Sequence, residues 1–487
     1  MKSIVDLAPQ NVWKHFNSIC SIPHPSYQEE EILAFIKDFA HTHSLSYYQD
    51  NAGNIIITKQ AHKGYESCET ICLQAHVDMV PQKAPESSHN FTKDPIKPFI
   101  DGDWVRATHT TLGADNGIGL ACILAILESA TIKHGPLEAL FTTTEETGMI
   151  GAYALKPHKL QAKYLINTDT EDEHDITIGC AGGIDGNFIC KAKNVPCPAP
   201  DNTVSYTIHI DGLTGGHSGF EIMYNRANAA LIIGELIHNL HANFNAQLVS
   251  VDAGDMRNAI PRNAQAQIIA PQNNKHNIQA FLESFITEKT HKHKQTDPFF
   301  SASYTEVSVP KNVISFQDTH AFTKSIISCP NGVISYDEKQ NSVQTSTNIS
   351  IIKTHAKHIE INCLLRSSDT HKKMQLSCTM SSIFSLYGLE SHFDNDYPAW
   401  EPKWNSDIIT LVEKAYSQCS QTKPSLQVVH AGLECGLLQN TYPDIEFISI
   451  GPNIRGPHSP DEKVEIRTVS QFWDILLYIL EHCPKLY

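Results

Sequence analysis

No stretch of this chain approaches the ~18 consecutive apolar residues that a membrane-spanning helix needs. The first ten residues, MKSIVDLAPQ, lack the uninterrupted apolar segment of a secretory signal. Positive charge is scarce: 37 Lys and Arg stand against 53 Asp and Glu, a formal net charge of −16. That balance disfavours nucleic acid, whose phosphates need a basic face, and it disfavours anionic lipid. No C-x-x-C pair occurs, and the 13 cysteines are odd in number and scattered. A disulfide framework is therefore not expected; reduced, mostly buried thiols are. These absences together lead us to expect a soluble cytoplasmic protein with neither a nucleic-acid nor a membrane partner.

What the chain does have is length and pattern. Its 487 residues exceed one ordinary core, so two domains are expected, one of them discontinuous. With 41% hydrophobic and 18% charged residues it has a globular balance. Residues 26–43, SYQEEEILAFIKDFAHTH, predict an amphipathic helix. Ser26 and Glu29 have capping-box spacing, and Ile32, Leu33, Ile36 and Phe39 form its buried stripe. DNAGN at 50–54 predicts a turn into the strand IIIT. Further strands are predicted up to His76, over 137–146 and over 163–169, with a helix over 115–130.

Strands alternating with helices imply an α/β domain, a mostly parallel mixed sheet with helices on both faces. After GCAGG at 179–183 the texture changes. Alternating strands at 204–211, 348–353 and 358–366, with a helix at 226–240, predict an inserted α+β domain on an antiparallel sheet. From about 394 the first texture returns: helix SDIITLVEKAYSQC, strands SLQVV and IEFISIG, and a last helix VSQFWDILLYILEHC. The expected division is 1–184 plus 394–487 for the first domain and 185–393 for the insert.

In open α/β sheets ligands bind beyond the carboxyl ends of the strands. His76 and Asp78 in AHVD, Glu145 and Glu146 in TTTEETG, and Asp169 in NTDTED all fall there. Asp115 in LGADNG opens a helix, and His458 in GPHSPDE comes after the strand IEFISIG. Each alone has an ordinary reading: a hydrogen-bonded H-x-D pair, a turn, a solvated face, a cap, a loop. Together they supply imidazole and carboxylate donors without thiolate, a set that suits zinc, cobalt or manganese. Two histidines and three carboxylates would hold two ions, with one carboxylate shared and one glutamate of the adjacent pair left to handle a proton.

The stretches QAHVDMVP, TTLGADNGIGLA, TTTEETGMIGA, NTDTED, GCAGG, DGLTGGHSG, RNAIPR, HAGLECG and GPNIRGPHSPDE jointly resemble the co-catalytic di-zinc peptidase family of carboxypeptidase G, aminoacylase and the carnosinases. The likeness runs from about residue 18 to the C-terminus. The resemblance implies two divalent ions, zinc first with cobalt or manganese as alternatives. It implies Asp115 as the bridging ligand, His76 and Asp169 on one ion, and Glu146 and His458 on the other. It implies Glu145 as general base and later proton donor, with Asp78 on the far nitrogen of His76. It also implies a cis peptide after Asp115. The insert would be a lid carrying substrate residues: His217 on the oxyanion, Arg366 on a free carboxylate, and Asn258 and Gly432 beside the substrate. Glu434 is available but is assigned no metal role.

The activity so implied is hydrolysis of small unblocked dipeptides, Xaa-His and β-alanyl-histidine among them, by attack of a metal-bridging hydroxide. A homodimer through the lid is part of the same expectation. Tripeptidase, aminoacylase or carboxypeptidase activity on the same scaffold is the alternative, and a metal-free scaffolding relative is the more distant one.

Overall fold

The computed structural model describes residues 3–338, 342–420 and 423–486. The chain forms two compact units, Met1–Cys180 with Trp400–Val428 and Leu433–Tyr487, and Ala181–Ala399 with Val429–Gly432. The division falls at Cys180 and Trp400 rather than at the 184 and 394 expected from sequence. The reason is pairing: Gly182–Lys191 is already a strand of the second unit's sheet, and Glu390–Tyr397 pairs with it. Where the chain leaves and re-enters the first unit, Cys180 and Trp400 exchange backbone hydrogen bonds of 3.1 and 3.0 Å.

The first unit is built on an eight-stranded mixed sheet. Its centre is parallel: Ile71–His76 lies between Leu137–Thr142 and Tyr164–Asn167, and Tyr164–Asn167 pairs with Glu446–Ser449. Ile71–His76 is buried along its whole length, as a strand covered on both faces must be. Helix Ala114–Glu128 packs on it and is apolar almost all round, which marks a helix with no solvent face. Helix Gln10–Cys20 covers that helix in turn. Because the central strands are parallel, their carboxyl ends share one edge, and each runs into a loop that carries acidic or imidazole side chains.

The helix predicted at 26–43 spans Glu30–Thr42, and the capping box does not form. Ser26 Oγ instead donates to Asp78 Oδ2 at 2.7 Å, and Glu29 Oε1 accepts from Thr144 Oγ1 at 2.6 Å. Both residues of the local motif are used on distant loops, and Leu33 is only half-buried. The strand predicted over 137–146 stops at Thr142. Thr144 takes φ 51°, a left-handed conformation that ends the strand and turns Glu145 and Glu146 into the loop.

The second unit has its own apolar core and a nine-stranded antiparallel sheet. Its longest hairpin joins Ser342–Thr354 to His358–Ser367. All cysteines are free thiols, buried except Cys378 and Cys419. Among the described residues no helix is long and apolar enough to cross a membrane.

Candidate metal centre and substrate residues

The first unit brings His76, Asp78, Asp115, Glu145, Glu146, Asp169 and His458 to one edge of its sheet. Asp115 stands in the middle. Its Oδ1 lies 3.0 Å from His76 Nε2, and its Oδ2 lies 3.3 Å from His458 Nε2. His76 Nε2 is also 3.4 Å from Asp169 Oδ1, and His458 Nε2 is 2.9 Å from Glu146 Oε2. Three donor triads result, His76–Asp115–Asp169, Asp115–Glu146–His458 and His76–Glu145–Glu146, each with its donor atoms within 4.8 Å of one another; the first two share Asp115. Asp115 turns one oxygen toward each of those two.

The donors fit borderline divalent ions. All are imidazole nitrogen or carboxylate oxygen, and Glu146 Oε1 is a buried polar atom with no hydrogen-bond partner among the described residues. The charges are out of balance in the same sense. Burial and then Asp115 push Glu146 up to about 7, while burial and Glu146 raise Glu145 well above the carboxylate range. Against burial, Asp169, Asp115 and Asp78 raise His76; Asp115 and Glu146 raise His458 to about 11. The cluster gathers more negative charge than its imidazoles offset, a setting divalent cations complete.

The surrounding bonds fix these donors. His76 Nδ1 lies 3.0 Å from the backbone carbonyl of Asp78 and 3.4 Å from its carboxylate. A proton on Nδ1 there leaves Nε2 free to ligate. The Asp78 carboxylate accepts from the amides of Glu145 at 2.9 Å and Glu146 at 3.3 Å, and from Ser26. One side chain therefore sets both the imidazole and the pair of glutamates. The Asp115–Asn116 peptide is cis. Asn116 Nδ2 donates to Asp169, and Thr168 Oγ1 donates to Asn116 Oδ1 at 3.1 Å. Gly119 is glycine because a Cβ there would lie 2.1 Å from both Asn116 Oδ1 and Thr168 Oγ1.

Sequence reasoning missed Glu462. Its Oε2 accepts from the amides of Leu112 and Gly113 at 2.7 and 3.0 Å, and its Oε1 from Ala114 and Asp115 at 2.7 and 3.2 Å. The only signal was its place at the end of GPNIRGPHSPDE, four residues after His458. Glu434, left unassigned, is buried; its Oε2 accepts from Gln74 Nε2 and Thr142 Oγ1, each at 2.7 Å, and its Oε1 has no partner among the described residues.

The remaining predicted residues lie in the second unit. The amides of Gly219 and Phe220 both donate to His217 Nδ1 at 3.1 Å, which leaves a neutral ring's hydrogen on Nε2. The Asn258 carbonyl accepts from the Ser218 amide at 2.8 Å, so its backbone braces the same loop. Arg366 is 4% exposed, donates from Nη1 to Tyr397 Oη at 2.8 Å, and keeps a buried Nε without a partner among the described residues. A buried guanidinium so placed suits a planar anion. Gly432 is small because of Tyr397, whose ring would lie 2.8 Å from a Cβ there. Tyr397 and His430 were not anticipated. His430 Nε2 lies 2.7 Å from Ser346 Oγ, and burial, then the Arg366 charge, lowers its imidazole to about 3.

The family profile described as Peptidase family M20/M25/M40 matches residues 72–482. The chain is 39% identical over 485 residues to the cytosol non-specific dipeptidase of Escherichia coli (strain K12), covering 99% of this chain and 100% of that one. The crystal structure of aminoacylhistidine dipeptidase from Vibrio alginolyticus superposes with a TM-score of 0.87 at 38% identity, covering 99% of both chains. Aminopeptidase PepT from Bacillus cereus shares the fold, with a TM-score of 0.58 at 15% identity over 98% of both chains. The chain belongs to peptidase family M20/M25/M40.

Proposed function

We propose that this protein is a metal-dependent dipeptidase acting on unblocked dipeptides, Xaa-His substrates included. The observation that carries the reading is Asp115, with one carboxylate oxygen toward each of two imidazoles, beside a buried glutamate oxygen that lacks a partner among the described residues. The dipeptide substrate class is supported by the names of the two relatives that cover the whole chain.

In this reading His76 and Asp169 would hold one ion, Glu146 and His458 the other, and Asp115 both. Zinc, cobalt and manganese all suit the donors. Bound there, two divalent ions polarise the scissile carbonyl and acidify water. Glu145 takes the proton from the water that attacks, then returns it to the nitrogen of the leaving amine. Asp78 keeps Glu145 and Glu146 in place through their amides. In the second unit, Arg366 takes the free carboxylate of the dipeptide, His217 offers its Nε2 hydrogen to developing negative charge, and Asn258 and Gly432 shape the backbone around them. A homodimer through the second unit and a cytoplasmic location are part of the same reading.

Glu145→Ala tests it. Bound metal should persist while dipeptide turnover falls by roughly 10²–10⁴-fold or more, the scale of a lost general base. Near-wild-type turnover would remove Glu145 from its role. Faster cleavage of N-acyl amino acids than of free dipeptides would overturn the substrate class.

A further inference from the structure

The hairpin between Ser342–Thr354 and His358–Ser367 carries a separate group of metal-type donors, all within the second unit. His355, His358 and Glu360 each place a donor atom within 4.8 Å of the others. His355 Nε2 lies 3.1 Å from Glu360 Oε2. The rings of His355 and His358 face each other with centroids 4.6 Å apart and planes 24° apart.

Hydrogen bonds and a buried side chain hold the frame beneath them. The amide of His355 donates to the His358 carbonyl at 2.8 Å and closes the turn. Ile359, fully buried between His358 and Glu360, alternates with them, so both of those side chains stand on the outer face. Asn362 Nδ2 donates to Glu360 Oε1 at 3.1 Å and to Asn187 Oδ1 at 2.6 Å, an outer set of bonds that orients the carboxylate. Two lysines flank the group. Lys191 lies opposite His358 in register but pairs with Glu390 at 3.2 Å; Lys353 lies opposite Glu360.

We propose that His355, His358 and Glu360 form a third metal site, for a borderline divalent transition ion such as Zn²⁺ or Ni²⁺, that staples the hairpin. Two imidazoles and one carboxylate are a nitrogen-rich set. Calcium and magnesium, which take oxygen ligands, are poorly served by it. Water completes the shell, because both His355 and Glu360 are half-exposed.

The test is zinc content of the full-length protein after equilibrium dialysis against buffered free Zn²⁺, for wild type, His358→Ala and Glu360→Gln, with circular dichroism to check folding. The expected result is one ion per chain fewer in each variant than in wild type. Equal zinc content in wild type and both folded variants would overturn the proposal and leave the three residues a hydrogen-bonded surface group. Should His358→Ala fail to fold, Glu360→Gln, which keeps the shape of the side chain, decides the matter alone.

Discussion

Glu462 and Asp115 are 347 residues apart in sequence, yet the Asp115 amide donates to Glu462 Oε1 at 3.2 Å. The same carboxylate receives the three preceding amides. His458 precedes Glu462 by one turn of loop, at φ 58° in the left-handed region that non-glycine residues seldom occupy. The clamp thus ties the loop of one imidazole donor to the loop of the shared carboxylate.

Glu462→Gln should loosen that tie while keeping its size. One carboxylate oxygen becomes an NH₂ that cannot accept, so two buried amides lose their partner, at about 1–3 kcal/mol each. Metal retention should weaken by roughly 10–100-fold, as for other residues that orient ligands. Titration against a chelating dye measures it, and unchanged affinity would show that the clamp serves folding alone.

Asp78→Asn replaces an acceptor shared by the Glu145 and Glu146 amides with a group that accepts at one atom only. Turnover should fall by roughly 10–100-fold with the protein still folded. Steady-state kinetics beside circular dichroism would separate this from unfolding.

Tyr397→Phe removes the one hydroxyl that Arg366 Nη1 reaches. If Arg366 takes the substrate carboxylate, KM should rise roughly tenfold, about one hydrogen bond to a charged group, with kcat little changed. Arg366→Ala should raise KM further. A fall in kcat at constant KM would place both residues elsewhere in the reaction.

Stripping divalent ions with a chelator should abolish turnover and lower Tm, because Asp115, Glu145, Glu146 and Asp169 are left facing one another. A ligand at 100 times its Kd stabilises by about 2.7 kcal/mol. Calorimetry before and after zinc is restored checks this; a Tm indifferent to metal contradicts it.

His430 gives stability a pH dependence of known sign. Burial first, then Arg366, lowers its folded value to about 3 from 6.5. Between those values the unfolded chain binds a proton that the folded chain refuses. Its share of stability is therefore intact above pH 6.5 and is lost progressively as pH falls toward 3. Denaturant unfolding from pH 7 to 4 should show a shallower loss for His430→Gln than for wild type.

The donors were legible because parallel strands announce themselves as short apolar runs, and the residues just past each run land on a shared edge. His76, Asp169 and the Glu145–Glu146 pair could be placed by that rule alone. Arg366 and His217 came from resemblance, since nothing in their local pattern marks them. The work of Glu462, and that of Asp78 on the glutamate amides, was not legible. A side chain that accepts from backbone N–H groups has no partner residue type to recognise, and the partner loop can lie hundreds of positions away. Tyr397 was invisible for a related reason: only its ring against Gly432 and its hydroxyl on Arg366 identify it. Ser26 and Glu29 failed in the opposite direction, a correct local motif overridden by loops brought near in space.

The reciprocal pair between Cys180 and Trp400 has an architectural consequence. The 219-residue detour from Ala181 to Ala399 begins and ends beside that pair, while Val429–Gly432 belongs to the second unit as well. Loop tips within that detour, away from the pair, are places where the chain can lengthen or shorten without shifting the strands that carry His76, Asp169 and the glutamates. The donors and the residues read as substrate contacts thus stand on separate apolar cores.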